Sequence, residues 1–220
     1  MENFWHSTFY WTARGSIWLY LRVWLCLRTT GREHAPAVGG VIFAANHCSY
    51  LDPPVLGCAV PKRIVHFMAR TTLQSNWLAT FFFKHAQIIP IDRNKGDLAA
   101  LKKTISALKQ GAAVGIFPEG TRSKDGRLQS AKGGIGFLIA KGNVPVVPVY
   151  LSGTFRALPR GAGKIKRTRI SAHFGKPILP EELLAVMPEK GDYQAVGDLV
   201  MQRIQALQDI HEQPSEQSAQ

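Results

Sequence analysis

The chain has 220 residues, 45% hydrophobic and 19% charged, which suits one well-buried core and excludes an intrinsically disordered protein. Lysine and arginine outnumber acids 27 to 15, a net charge of +12, so the expected partners are anionic: nucleic acid, acidic lipid headgroups or phosphorylated small molecules. Three cysteines (Cys26, Cys48, Cys58) with neither C-x-x-C nor Cys/His zinc spacing exclude a disulfide framework, and no metal is expected.

The first thirty residues hold four of the five tryptophans, Trp5, Trp11, Trp18 and Trp24, with Phe4, Phe9, Tyr10 and Tyr20. Rings carrying one polar atom favour the headgroup level of a bilayer. Ile17 to Leu27 is strongly apolar, but Arg22 interrupts it and Arg14 and Arg28 flank it. The run falls short of the ~20 apolar residues of a spanning helix. A secretory signal is not expected, since the start is not basic and no small-x-small cleavage site follows. Residues 1–31 are therefore expected to form an amphipathic helical segment that lies on a membrane, aromatics down and arginines snorkelling. A helix packed on the main domain is the competing reading.

Val41 to Ala45 is a short β-forming apolar run, and Pro53-Pro54 opens a helix after it. Gln87 to Ile91 is a second strand. Asp97 caps a helix with Leu98, Leu101, Ile105 and Leu108 on its apolar face, stopped by Gly111. Ala112 to Phe117 is a third strand, and a short helix follows near Ile135 to Ala140. Val144 to Leu151 reads as a strand at the sheet border or with a bulge, because it contains two prolines. Ile170 to Phe174 and a closing helix over Tyr193 to Ile210 complete the domain, 32–210, and 211–220 reads as a polar tail. This alternation predicts an α/β fold with a largely parallel central sheet flanked by helices.

Between Gly153 and Lys176 lie seven basic residues and no acid. A solvated loop and a phosphate-facing surface both account for such a run. A nucleic-acid surface would interleave bases with stacking aromatics, whereas here the aromatics cluster at the other end of the chain. No nucleic-acid partner is expected.

Polar residues gather in loops that follow strands, where α/β sheets place their sites. Asn46 to Asp52 follows the first strand, Asp92-Arg93-Asn94 the second and Pro118 to Ser123 the third. A histidine five residues before a carboxylate suits general-base chemistry, with Asp52 fixing the tautomer of His47. Asp52 ahead of two prolines also suits an N-cap. Gly120, Thr121, Arg122, Ser123, Arg93 and Lys132 supply a flexible backbone, donors and cations for a phosphate. Such a set fits a phosphorylated alcohol being acylated or hydrolysed. Cys48, next to His47, is an alternative nucleophile.

In order and spacing, N-H-C-S-Y-L-D, I-P-I-D-R, F-P-E-G-T-R-S and V-P-V-V-P-V resemble the four motif blocks of the lysophosphatidic-acid and glycerol-3-phosphate acyltransferases. The resemblance implies that His47 is the base and Asp52 its partner, with Arg93, Glu119, Gly120, Thr121 and Arg122 shaping the acceptor pocket and Ser123 and Lys132 lining it. It implies a fatty-acyl thioester, acyl-CoA or acyl-carrier protein, as co-substrate, 1-acylglycerol-3-phosphate as acceptor, no cofactor, and attachment to the cytoplasmic face of a membrane, peripheral or monotopic.

Overall fold

The computed structural model describes residues 2–70, 88–91, 98–187 and 191–212. Helix α1 (Glu2–Val23) leads into β1 (Arg28–Thr30), a 3-10 turn, β2 (Val41–Ala45), α2 (Asp52–Ala59) and β3 (Val65–Arg70). After β4 (Ile89–Ile91) come α3 (Leu98–Lys109), β5 (Ala113–Ile116), α4 (Gly133–Gly142) and β6 (Val146–Ser152). The short α5 (Thr154–Ala157), β7 (Ser171–Phe174), α6 (Pro180–Ala185) and α7 (Tyr193–Glu212) follow. The strands form one seven-stranded sheet in the order β1-β7-β6-β2-β5-β3-β4. Every described pairing is parallel except β6 with β7.

Two apolar layers sandwich the sheet, and the period of two in β2 divides its residues between them. Val41, Phe43 and Ala45 join Leu21 and Leu25 around α1 and Val55 and Leu56 of α2. Ile42 and Ala44 face Leu108, Leu138, Ile139, Val196, Val200 and Ile204 on α3, α4 and α7. Phe43 is fully buried, so Phe43→Ala is expected to cost about 3–5 kcal/mol. Gly136 lets α4 approach α7: a Cβ there would sit 1.7 Å from the Tyr193 carbonyl oxygen.

Three sequence expectations change. Strand β6 lies inside the sheet, between β7 and β2, not at its border. Pro148 is tolerated because the β6–β7 ladder ends at Val149↔Phe174 and re-forms only as an isolated bridge at Val146↔Ile178. The buried face of α3 is Ala100, Thr104 and Leu108, flanked by half-buried Leu101 and Ile105, whereas Leu98 is exposed. The small Ala and Thr let this helix lie close, and Asp97 lies outside the described residues. Strands β1 and β3 were not expected at all.

The first segment is divided in its loyalties. Leu21, Leu25 and Leu27 are buried in the core, and β1 forms the sheet edge. The Arg14 guanidinium donates to the carbonyls of Gly57, Cys58 and Val60, satisfying acceptors at the end of α2. Most of the rest of α1 is open to solvent. Trp11, Ile17, Trp18, Leu19, Tyr20 and Val23 are exposed along the helix, and Trp24 just beyond its end. Among the described residues, no helix is long and apolar enough to cross a membrane.

Candidate active site

Strands β2 and β5 are parallel neighbours, with Ala44 beside Ile116. The loops after them therefore leave the same edge side by side. Asn46 fastens the first loop: its amide Nδ2 donates to the Leu151 carbonyl at 3.0 Å, and its Oδ1 accepts the Leu151 N–H at 2.7 Å. This extends the β2–β6 ladder by one side chain. Such a role depends on a residue 105 positions away and had no local signal.

The loop then curls back on Asp52, which is fully buried at the first turn of α2. One carboxylate oxygen, Oδ2, accepts the N–H groups of Cys48 and Ser49, each at 2.7 Å. The same atom is 2.8 Å from Nδ1 of His47. Asp52 does not cap its helix; Leu51 occupies that position. The following prolines lack N–H groups, and the Val55 N–H is taken by the Leu51 carbonyl, so the carboxylate turns to the preceding loop instead.

Oδ2 already accepts two backbone donors, so Nδ1 carries the proton of the third bond and Nε2 is left as the basic nitrogen. The imidazole stacks on Phe117 with centroids 4.1 Å apart. Its side chain is 17% exposed, open enough for a substrate to reach. His47 is thus fixed by a carboxylate at one nitrogen and an aromatic wall along one face.

The β5 loop braces His47 through its backbone. Glu119 accepts the His47 N–H at 2.9 Å, and the Ser123 N–H donates to the His47 carbonyl at 2.8 Å. Glu119 is almost wholly buried, and burial pushes its carboxyl up to about 7 against the lowering effect of the His47 amide. The Ser123 hydroxyl donates to Asp125 and accepts the Gly126 N–H. Both residues were expected at the acceptor pocket, and the structure gives both a bracing job behind the histidine. Gly120 has φ 65°, and a Cβ there would come 3.0 Å from Lys132, so the turn between the two residues is fitted to glycine.

Arg122 reaches back over the first loop, its guanidinium carbon 3.5 Å from the Tyr50 ring centroid. On these two loops, Asp52 Oδ1 and Arg122 Nη1 are buried without a hydrogen-bond partner. Thr121 and Arg122 also line an open cavity of ≈ 450 Å³ with Lys124, Arg127 and Arg160. The acid in its wall, Asp125, is held below the usual carboxylate range by the Arg127 amide and the Ser123 hydroxyl. Thr121 and Lys132 are exposed beside this loop, and Arg93 lies outside the described residues.

Cys48 turns to the start of α5. Its thiol lies 3.3 Å from the Thr154 hydroxyl and is buried. Burial, with the Asp52 carboxylate adding to it, pushes the thiol up to about 12. A nucleophilic cysteine needs thiolate character, and this environment opposes it.

Residues 26–152 match the family model described as Acyltransferase. The chain belongs to the acyltransferase family. His47, Asp52, Arg93, Glu119–Ser123 and Lys132 all fall inside the matched stretch. The 1-acyl-sn-glycerol-3-phosphate acyltransferase of Bacillus subtilis is 30% identical over 193 residues, 86% of this chain and 93% of that protein. A chloroplastic 1-acyl-sn-glycerol-3-phosphate acyltransferase of Arabidopsis thaliana is 34% identical over 152 residues, 67% of this chain but 42% of that longer protein. The crystal structure of the 1-acyl-sn-glycerophosphate acyltransferase PlsC from Thermotoga maritima superposes with a TM-score of 0.72 at 25% identity. That match covers 89% of this acyltransferase and 79% of the Thermotoga chain. The protein is an enzyme of lipid metabolism that transfers an acyl group.

Proposed function

We propose that the enzyme transfers a fatty-acyl group from a thioester, acyl-CoA or acyl-carrier protein, to the free hydroxyl of 1-acylglycerol-3-phosphate, giving phosphatidic acid. The observation that carries this reading is the His47–Asp52 pair, 2.8 Å apart on a loop that also supplies two backbone donors to the carboxylate. The names of the Bacillus and Thermotoga relatives support the acceptor.

In the reaction, Nε2 of His47 takes the proton of the acceptor hydroxyl as its oxygen attacks the thioester carbonyl carbon. The new C–O bond forms and the C–S bond breaks. The imidazolium, stabilised by Asp52, returns the proton to the leaving thiolate. Atoms and charge balance without any cofactor. Arg122 and Arg93 hold the acceptor phosphate, with Gly120, Thr121 and Lys132 around them, while Glu119 and Ser123 hold His47 in place.

Residues 1–31 form the membrane-associating part, and the domain over 32–210 carries the chemistry. The exposed aromatics of α1 enter the headgroup region of the cytoplasmic leaflet. Arg167, from the acid-free basic run, lies over the Trp24 ring at 5.5 Å, which supports one surface that is apolar and cationic together.

The test is to incubate the purified full chain with each thioester and a panel of lysophospholipids, and to identify products by mass. Phosphatidic acid from 1-acylglycerol-3-phosphate is the expected product. Acylation of other lysolipids with none of this one would refute the acceptor. In parallel, the full chain is expected to sediment with anionic liposomes and to release as salt rises. Sedimentation unaffected by Trp18→Ser with Trp24→Ser would remove α1 from the account.

A further inference from the structure

Tyr50 is 56% exposed, although Cys48, Ser49, Leu51 and Asp52 around it are all buried. A large ring left in solvent within so tightly bonded a loop gains little from core packing. What it does contact is Arg122, whose guanidinium carbon is 3.5 Å above the ring centre. Among the described residues no carboxylate pairs with Arg122, and its Nη1 is buried without a partner. The ring is thus the contact that defines where the head of this long side chain lies.

A stack of this kind uses the flat face of the guanidinium. Its N–H groups project from the edge, so stacking fixes the plane without using up a hydrogen-bond donor. The two loops are already tied behind the site by His47, Glu119 and Ser123. Tyr50 and Arg122 tie them again at the front, beside the cavity that Thr121 and Arg122 line.

We infer that Tyr50 is a positioning residue that orients Arg122 for the acceptor phosphate and so sets the preference for a phosphorylated acceptor. The inference rests on the proposed role of Arg122. The aromatic face does this work, so phenylalanine serves in place of tyrosine and an aliphatic side chain does not. Cation–π stacks are worth roughly a 2- to 5-fold change in binding at exposed sites and about 30-fold where they are desolvated.

The test compares Tyr50→Phe, Tyr50→Leu, Arg122→Ala and the double variant Tyr50→Leu with Arg122→Ala. Steady-state kinetics are measured with 1-acylglycerol-3-phosphate and with uncharged monoacylglycerol as acceptors. Tyr50→Leu is expected to raise KM for the phosphorylated acceptor roughly 2- to 30-fold, leaving the donor KM, kcat and the monoacylglycerol reaction unaltered. Tyr50→Phe should restore the wild-type KM, and the double variant should be no worse than Arg122→Ala. If Arg122→Ala raises the acceptor KM and Tyr50→Leu does not, the positioning role is wrong and the arginine's role stands. An unchanged acceptor KM in Arg122→Ala removes both. Equal losses in Tyr50→Phe and Tyr50→Leu would assign the effect to the hydroxyl and overturn the inference. So would a fall in kcat for both acceptors, the mark of general damage.

Discussion

His47 and His173 both sit at hydrogen-bonded positions at the sheet, and of the two only His47 is poised for chemistry. His47 has a carboxylate oxygen at Nδ1 and is open enough to be reached at Nε2. His173 on β7 has the Thr30 hydroxyl at Nδ1 and the Ser171 hydroxyl at Nε2, both at 2.8 Å. It also stacks on His211 with centroids 3.6 Å apart. Burial, and then the neighbouring His211, pushes its pKa down to about 4. A histidine with both nitrogens occupied in a buried place holds structure together. One with a fixed tautomer and an open second nitrogen moves protons.

Replacing each histidine in turn should separate these roles most sharply. His47→Ala is expected to lower kcat/KM roughly 10²–10⁴-fold while the protein still folds, because the base is gone. His173→Ala is expected to cost about 1 kcal/mol of stability through its lost hydrogen bonds, with turnover of the folded protein retained. Chemical denaturation and steady-state rates on both proteins check the pair. A folded His47→Ala enzyme with ordinary turnover ends the distinction.

Asp52→Asn tests the support of the active histidine. An amide can accept from Nδ1 or donate to it, so the tautomer is no longer dictated, and the loss should approach that of His47→Ala. The Cys48 and Ser49 amides also lose a charged acceptor, at about 1.5–3 kcal/mol, so the melting temperature should fall as well. A large drop in stability with full activity would make Asp52 a loop brace only.

The pH dependence of stability distinguishes the two sites by sign. His173 has a lowered folded pKa, so its contribution is present above 6.5 and is lost as pH falls towards about 4. Glu119 has a raised one, so its contribution is full below 4.5 and is lost as pH rises through about 7. Glu119→Gln keeps an acceptor for the His47 amide and removes the titration. Its stability relative to wild type should therefore improve as pH rises from 4.5 to 7, and a constant difference across that window would contradict the buried carboxyl. Cys48→Ala is the gentlest change. It should keep most activity, and donor alone should leave no acyl adduct detectable by intact mass.

The parts readable in the sequence were those with local causes. Val41 to Ala45 shows its strand by β-branched and aromatic residues, and the closing helix shows over Tyr193 to Ile210 by its apolar stripe, two residues short of its observed end at Glu212. His47 and Asp52 stood out because their spacing is short and their chemistry complementary. The rest depends on contacts across the chain. Asn46 has meaning only beside Leu151, Phe117 only under the imidazole, and Glu119 only against the His47 amide. Of the border position and the bulge that both suited β6, the border failed because a proline's missing N–H matters only where the ladder asks for one, which the sequence does not display. Likewise α1 combines exposed aromatics with Leu21 in the core, and the periodicity of that segment did not separate them.

The central claim is that His47 offers Nε2 as a base because Asp52 holds its proton at Nδ1. Nitrogen-15 NMR of the imidazole, in protein labelled at histidine and compared with His47→Ala to assign the signal, measures this directly. At a pH where the ring carries a single proton, the account predicts that the proton sits on Nδ1, strongly hydrogen-bonded, with Nε2 bare. A His47 ring protonated at Nε2 with Nδ1 bare would contradict it, because that nitrogen could not then take the proton of an acceptor hydroxyl.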